Sequence, residues 1–400
     1  MSEGKAFLEK VHIKNFLSLR NVELPFKPLT VLVGPNASGK SNVFRALSLF
    51  MEMINAERLP RNDIIQSSIW AGGANHLTFQ LHTIVEEIST LYELEIKTET
   101  EDITINEELH VNGVKVISIQ NGQGEVWDEN GKNNTSYTAT VQKIAIGSAG
   151  DYGKKPVTSA LTEYFTKWNF YDFQPELMRG YYPSTPFGFD PEDISDQFFR
   201  LGKFPQINED GSNLCAILSY LHSNIQNIFY KVSESLFEST KLKIGYSRID
   251  GQPQLSVLEG YKRPIPLRKA SDGTLRLIAY YTLLNQSELP PLIAIEEPEQ
   301  SLHPAALKEI ASVLELLAER TQVIITTHSS QLLDVFNPNN LSDSLGVLLL
   351  HNRSGLGTEV LNLEEIKDKR EALDGWIADF GIGSAIFDSE LLQDLMEEPT

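Results

Sequence analysis

Short, largely apolar runs recur along the chain, and a helical pattern lies next to each of them. The runs are Leu29–Val33, Leu292–Ile295 and Val323–Thr327. A strand that is apolar at consecutive positions is typical of a parallel sheet covered on both faces. After the first run the apolar residues take helical spacing, at positions 43, 44, 46, 47, 49 and 50. Helices are also predicted at Thr274–Leu284 and Pro304–Glu319, so the pattern as a whole predicts an α/β fold.

The segment between residues 76 and 145 follows a different pattern, in which apolar and polar residues alternate. The alternation is clear in His76–Leu81, Leu91–Ile96 and Val114–Ile119, and Gly and Asn turn signals separate these runs. Such a pattern is typical of an antiparallel meander with one solvated face. Residues 156 to 240 look mainly helical instead, with a Pro- and Gly-rich break at 180–191.

Composition indicates a folded protein and disfavours several functional classes. A chain of 400 residues is long for one compact core and suggests two lobes. Its 54 acidic and 34 basic residues give a formal charge of −20, which disfavours a protein that coats nucleic acid. The single cysteine, Cys215, excludes a disulfide framework within the chain. No apolar run reaches the roughly 18–20 residues that a membrane helix needs, so we expect a cytoplasmic protein with no membrane partner.

The residues after the first apolar run fit a phosphate-binding loop. Residues 34–41 read Gly-Pro-Asn-Ala-Ser-Gly-Lys-Ser, which matches the pattern GxxxxGK[ST]. The glycines let the backbone amides turn toward phosphate oxygens, and the following helix adds its positive end. We expect Lys40 to lie between the β- and γ-phosphates and to act in catalysis, and Ser41 to bind Mg²⁺. The ligands expected are ATP and Mg²⁺, and the nucleotide-binding residues expected are Gly34, Pro35, Asn36, Ala37, Ser38, Gly39, Lys40, Ser41 and Asn42.

Two acids end the second apolar run, at Glu296 and Glu297. A buried parallel strand delivers whatever follows it to the carboxyl edge of the sheet, where the phosphate loop is also expected. Glu296 is therefore a candidate magnesium ligand. Glu297 is a candidate base that orients and deprotonates the attacking water. The alternative is a strand that ends in two solvated glutamates.

The third run repeats this arrangement with a histidine. His328 directly follows Val323–Thr327, and we expect its imidazole to reach the γ-phosphate. A lone histidine in this position is more often structural, but the neighbouring motifs favour a catalytic role.

A second possible anion site precedes the paired acids. Residues 270–276 read Ala-Ser-Asp-Gly-Thr-Leu-Arg. The Ser271 hydroxyl, the Gly273 amide and a helix N-terminus together could hold a phosphate. The alternative is a helix capped by Ser271 or Asp272, with no ligand.

With these motifs in this order, the chain resembles the ABC-type ATPase heads of the SMC, RecF and OLD-like families. Residues 296–304 are similar to the EEPExxLHP of stand-alone ATPases near the OLD and RecF groups, although many relatives carry Asp where this chain has Glu296. The resemblance implies a P-loop NTPase fold, with a mixed sheet flanked by helices. It also implies that Ser271 and Gly273 of one subunit contact ATP held by the other. A glutamine loop is expected as well, and Gln174 is the candidate for it.

The resemblance and the pattern together divide the chain into five segments. Residues 1–75 and 261–385 would be the two parts of the ATPase head. Residues 76–155 would form a β-rich lobe, residues 156–260 a helical insertion, and residues 386–400 an acidic tail.

The function that this implies is an ATP-gated switch. Two copies would dimerise around ATP and control a separate effector, such as a nuclease, in phage defence or DNA repair. One alternative is a nucleic-acid-binding ATPase that acts alone, for which the only dense basic run lies at residues 262–269. A transporter subunit is the other alternative, but the long insertion and the lack of an apolar face suited to a membrane partner argue against it.

Overall fold

The computed structural model describes residues 6–98, 103–138, 143–149, 153–179, 205–249, 252–258, 263–341, 343–369 and 371–387. The strands are β1 (Phe7–Phe16), β2 (Leu19–Pro25), β3 (Leu29–Val33), β4 (His76–Val85), β5 (Ile88–Thr98), β6 (Ile103–Val111), β7 (Val114–Gln120), β8 (Gln123–Val126), β9 (Thr135–Thr138), β10 (Asn169–Tyr171), β11 (Lys243–Ile249), β12 (Gln252–Leu258), β13 (Ile265–Pro266), β14 (Leu292–Glu296), β15 (Gln322–Thr327), β16 (Leu345–Arg353) and β17 (Gly357–Asn362).

The α-helices are α1 (Lys40–Asn55), α2 (Asn62–Ser68), α3 (Ile146–Ala149), α4 (Pro156–Thr166), α5 (Pro175–Met178), α6 (Leu214–Asn224), α7 (Gln226–Thr240), α8 (Asp272–Leu284), α9 (Leu307–Ala318), α10 (Ser330–Leu333), α11 (Leu363–Lys369), α12 (Glu371–Phe380) and α13 (Ile382–Phe387). Short 3₁₀ helices lie at Leu267–Lys269, Pro304–Ala306 and Pro338–Asn340. In the part of the chain that the structure describes, no helix is long and apolar enough to cross a membrane.

A six-stranded, mostly parallel sheet forms the centre of the fold, in the order β10-β14-β15-β3-β16-β17. Its neighbouring strands run parallel except for the last pair, β16 and β17. The three apolar runs of the sequence are its adjacent strands β14, β15 and β3. Every residue of β3 and β15 is buried. The predicted α/β architecture is thus confirmed.

The central strands present alternate residues to two hydrophobic cores. Val31 and Val33 of β3 pack into one core, which also contains Leu275 of α8. Leu32 packs into the other core, together with Val43 of α1. Because both faces of the strand are apolar environments, the run of apolar residues is continuous rather than alternating.

An eight-stranded antiparallel sheet covers the α1 side of the molecule, in the order β2-β1-β4-β5-β6-β7-β8-β9. Its inward residues share the second core with α1. The predicted meander is therefore extended by β1 and β2, so the sheet crosses the limit drawn at residues 75 and 76. β1 and β2 precede the phosphate loop in the sequence, whereas the meander follows it. Local alternation does not reveal the long-range pairing of β1 with β4. The segment limits themselves stay a prediction.

The predicted insertion from residue 156 onward is mainly helical up to residue 240, with α4, α5, α6 and α7 in the described residues. Within it, β10 joins the edge of the central sheet beside β14. The three-stranded sheet β11-β12-β13 follows. The predicted break at 180–191, residues 388–400 of the predicted tail and Lys262 of the basic run lie outside the described residues, whereas residues 386 and 387 belong to α13.

Glu107 occupies an inward position of β6, where the alternation predicts an apolar residue. Its carboxylate accepts hydrogen bonds from the backbone amides of Ala145 and Ile146, both at 2.6 Å, and from the Tyr92 hydroxyl at 2.9 Å. Burial raises the pKa of Glu107 to about 7, although the three donors oppose this shift. The side chain ties the antiparallel sheet to the start of α3.

Replacing Glu107 by glutamine should lower the free energy of unfolding by about 1–3 kcal/mol at pH 5, because the amide nitrogen cannot accept a hydrogen bond from either backbone N–H. The loss should shrink as the pH rises from about 5 to 8. In that window the folded wild type holds a proton that the unfolded chain releases, so the wild type itself loses stability. Chemical denaturation across this range measures both effects. The control is Glu108→Gln at the adjacent solvated position, which should lower the free energy of unfolding by less than about 1 kcal/mol. A difference between wild type and Glu107→Gln that stays constant with pH would contradict the account.

Candidate nucleotide site

Three of the predicted site segments follow three adjacent parallel strands. β14 and β15 stay in register up to Glu296, and β15 and β3 stay in register up to Val33. Glu297, His328 and the phosphate loop begin directly after these strand ends. Because parallel strands end at the same edge of a sheet, the three segments meet there.

The phosphate loop has the backbone conformation that its glycines favour. Gly39 has a φ of +108°, in the left-handed region that favours glycine, and Ala37 also has a positive φ of +63°. A Cβ atom at Gly34 would lie 2.2 Å from the backbone oxygen of Leu350, and one at Gly39 would lie 2.3 Å from the Thr358 hydroxyl oxygen. A side chain at Gly34 would therefore clash with the Leu350 backbone, and one at Gly39 would clash with Thr358, so either change would displace the loop.

Lys40 begins α1 and is 6 % exposed. Its Nζ donates hydrogen bonds to the backbone oxygens of Gly34 at 2.7 Å and Pro35 at 3.0 Å. Burial lowers the pKa of Lys40, and the carboxylates of Glu297, Glu296 and Glu299 act in the opposite direction. One ammonium thus lies within the field of three carboxyl groups, an environment that favours a further cation.

The predicted magnesium ligands lie side by side. The Ser41 hydroxyl donates a hydrogen bond to Glu296 Oε1, so two oxygen ligands from different elements meet at one point. Mg²⁺ takes oxygen ligands and commonly uses one or two carboxylates together with water and substrate phosphates. The residues present fit that chemistry. Among the described residues, no group of three or more His, Cys, Asp or Glu side chains could hold a metal ion, so a magnesium site here depends on such additional ligands.

Glu297 and His328 form a hydrogen-bonded pair, with 3.0 Å between Nδ1 of the imidazole and Oε1 of the carboxylate. The backbone amide of Glu297 donates to the Thr326 backbone oxygen at 3.1 Å. Glu297 has a φ of +42°, a left-handed conformation that costs a non-glycine residue about 1–2 kcal/mol. The surrounding fold therefore maintains a strained backbone at Glu297, and such strain is frequent at functional sites.

Ser271 caps α8. Its hydroxyl accepts a hydrogen bond from the Thr274 amide at 3.2 Å. Arg179 fixes the same segment by donating to the Ala270 backbone oxygen at 2.9 Å and to Asp272 at 2.5 Å. The same Ser271 hydroxyl shares a 2.8 Å hydrogen bond with the Thr274 hydroxyl. The capping alternative is therefore present in the structure.

Gln174 lies beyond the end of β10, the strand next to β14. Its side-chain amide donates to Asp172 at 3.5 Å, and the residue is exposed. The sheet order thus places Gln174 on the same edge as Glu296, one strand away.

The phosphate loop borders a cavity of about 360 Å³, lined by residues 36–42, Glu297 and Asn352. Ser271, Gly273 and Gln174 are absent from this lining. Within the described part of one chain, the phosphate loop and the acidic pair come together, whereas the Ser271 segment stays outside the cavity. The assigned roles of all these residues stay predictions.

Sequence reasoning missed three residues that support the loop. Thr358 donates to the Ser38 backbone oxygen at 3.0 Å and shares a 2.8 Å hydrogen bond with the Ser18 hydroxyl. Asn352 donates to the Ala37 backbone oxygen at 3.3 Å. No local pattern marks these residues, because Ser18 and Thr358 lie 340 positions apart.

Comparisons with known proteins agree with this geometry. A family model described as "AAA domain, putative AbiEii toxin, Type IV TA system" matches residues 29–334. The chain is similar to the OLD nuclease of Thermus scotoductus, 43 % identical over 44 residues, which are 11 % of this chain and 8 % of that protein. It is also similar to the chromosome partition protein Smc of Methanocaldococcus jannaschii, 41 % identical over 56 residues, which are 14 % of this chain and 5 % of that protein.

A solved structure extends the likeness over most of the chain. The SMC head bound to the C-winged helix domain of ScpA covers 90 % of this chain and 99 % of its own, with a TM-score of 0.51 at 15 % identity. At that identity the match shows the fold alone. The resemblance to SMC- and OLD-type ATPases and the predicted ABC-type head fold are thereby confirmed, although the matched segments span less than a tenth of the two curated relatives.

Replacing Thr358 by valine should weaken ATP binding about 3- to 10-fold, because the side chain keeps its shape but loses its hydrogen bond to Ser38 of the loop and its hydrogen bond to Ser18. Thr358→Ser retains the hydroxyl and serves as the matched control. Calorimetric titration with ATP and magnesium measures the affinity. Wild-type affinity in the valine variant would show that the Ser18–Thr358–Ser38 contacts do not shape the loop.

Proposed function

Since the chain belongs to the AAA-domain family described as a putative AbiEii toxin of a Type IV TA system, we propose that it binds ATP with Mg²⁺ and hydrolyses it as a homodimer. The observation that carries this proposal is the meeting of Lys40, Glu297 and His328 at the ends of three adjacent parallel strands. The 3.0 Å contact between Glu297 and His328, at the same edge as the phosphate loop, supports the assignment of Glu297 as the base and His328 as its partner.

In this proposal the loop amides and Lys40 hold the phosphates, and Glu297 takes a proton from the attacking water. A bound Mg²⁺ would lie at Ser41 and Glu296 and would offset negative charge on the phosphates. His328 orients the Glu297 carboxylate through Nδ1. Its Nε2 then faces away from that carboxylate and is free to bind the γ-phosphate when the ring carries both protons.

The second half of the site would come from another copy of the chain. Ser271 lies at the N-terminus of α8, where exposed amides and the helix dipole favour an anion. It does not line the phosphate-loop cavity of its own chain. A two-fold dimer would place each Ser271 and Gly273 against the ATP held by the other Lys40 loop. Gln174 would contact the nucleotide from the edge of the sheet.

The cellular role that we propose is control of an effector in phage defence or DNA repair. The similarity to an OLD nuclease and the toxin named in the family description support this setting. We place the effector, such as a nuclease, on a separate chain. A nucleic-acid-binding ATPase that acts alone is the alternative, and the charge of −20 disfavours it.

Glu297→Gln should reduce ATP turnover at least about 100-fold, because an amide cannot accept the proton from water. ATP binding should persist, and light scattering should detect an ATP-bound dimer that accumulates. Glu319→Gln, an exposed glutamate outside the site, is the control. Normal turnover in Glu297→Gln would remove Glu297 from the role of base, and a monomer saturated with ATP would argue against the dimer.

A further inference from the structure

The turn from Glu297 to Ser301 begins and ends with a strained residue. Glu297 has a φ of +42° and Ser301 a φ of +63°, and neither is glycine. Such conformations persist only where the surrounding structure imposes them. Contacts on two sides of the turn supply that constraint, and they involve two charged side chains, Glu299 and Arg276, that have no part in the proposed chemistry.

On the first side, Glu299 fastens the turn to the strand that carries His328. Its Oε1 accepts a hydrogen bond from the Thr327 hydroxyl. The same hydroxyl accepts a hydrogen bond from the backbone amide of Ser329 at 2.9 Å. This bond links the residues on either side of His328. Glu299 Oε2 is buried without a hydrogen-bond partner. Burial raises the pKa of Glu299, and the nearby Glu297 carboxylate raises it further.

On the second side, Arg276 fastens the turn to α8, the helix capped by Ser271. Its guanidinium donates to the Gln300 side-chain oxygen at 2.6 Å. Arg276 is 4 % exposed, and its Nε and Nη1 atoms are buried without a partner. Gly273 of the same helix packs so closely that a Cβ there would lie 2.8 Å from the Ser301 backbone oxygen.

These contacts join two parts of the molecule that the proposed function assigns to different nucleotides. The Ser271 segment would face the ATP held by the partner chain, and Glu297 would act on the ATP held by its own chain. The turn lies between them. In such a dimer, a shift of α8 would act on Glu297 through Gln300 and Ser301, and on His328 through Glu299 and Thr327.

We propose that Glu299 and Arg276 are positioning residues, which clamp the Glu297–Ser301 turn so that the Ser271 helix and the Glu297–His328 pair move as one unit. Neither side chain lines the phosphate-loop cavity. Their role is to set the orientation of Glu297 and not to bind the nucleotide. This inference rests on the proposed function, because it concerns the geometry of the same hydrolytic site.

The experiment measures kcat, KM and ATP affinity for variants on each side of the clamp. Thr327→Val and Glu299→Ala break the first side. Gln300→Leu breaks the second at an exposed position, where misfolding is not expected. Each should lower kcat about tenfold and leave ATP affinity within about twofold, the effect of a base held in poor geometry. Glu299→Gln keeps an oxygen for Thr327 and should recover most of the lost rate.

A matched control separates positioning from general packing. Thr282 is another buried threonine, on α8, and its hydroxyl donates to a backbone oxygen within that helix. Thr282→Val should leave kcat near that of the wild type. The double variant Arg276→Met/Gln300→Leu should lower kcat no more than either single change, because both changes remove the same Arg276–Gln300 hydrogen bond.

The outcomes distinguish this inference from the proposed function. Hydrolysis by the wild type together with wild-type kcat in Glu299→Ala and Gln300→Leu would overturn the clamp and leave the ATPase standing. Loss of ATP affinity in step with kcat would also overturn it, since that pattern indicates a damaged binding site. No hydrolysis by the wild type would overturn both.

Discussion

The parallel register of three central strands is the constraint on which the site depends. Because β14, β15 and β3 are adjacent and end at one edge, the sheet itself makes neighbours of the residues that follow them. Glu297, His328 and the phosphate loop occupy these positions. Burial of both faces of the sheet fixes that register, since a slip of one residue would exchange the residues that face the two cores.

The groups gathered at this edge are electrostatically unbalanced. Lys40 is the only basic residue in the loop sequence 34–41, and the carboxyl groups of Glu297, Glu296 and Glu299 all act on it. Each carboxyl has a different environment: Glu296 contacts Ser41, Glu297 contacts His328 and Glu299 contacts Thr327. Three acids that lie within four positions of the sequence thus make three different side-chain contacts.

The sequence predicted those parts of the site that lie in short local patterns. Gly34 to Ser41 and the acids that follow β14 can be recognised because loop, strand and ligand chemistry occupy consecutive residues. The supports of the site could not be predicted in this way. Thr358 reaches the loop from β17, and Arg276 reaches the turn from a helix that reads as an ordinary apolar pattern. Glu107 sits at a core position, where two of its three hydrogen-bond donors are backbone amides 38 and 39 positions further along the chain, which local alternation does not reveal.

The central claim is that each site is completed by two chains, so the most direct measurement mixes two inactive variants. Lys40→Ala removes the phosphate-loop cation, and Ser271→Arg blocks the surface that would face the partner's ATP. Neither should hydrolyse ATP alone. Mixed in equal amounts they should recover about a quarter of wild-type activity, because half of the dimers are heterodimers with one intact site. Full inactivity of the mixture, with heterodimers demonstrated, would contradict the shared site, as would wild-type activity of Ser271→Arg by itself.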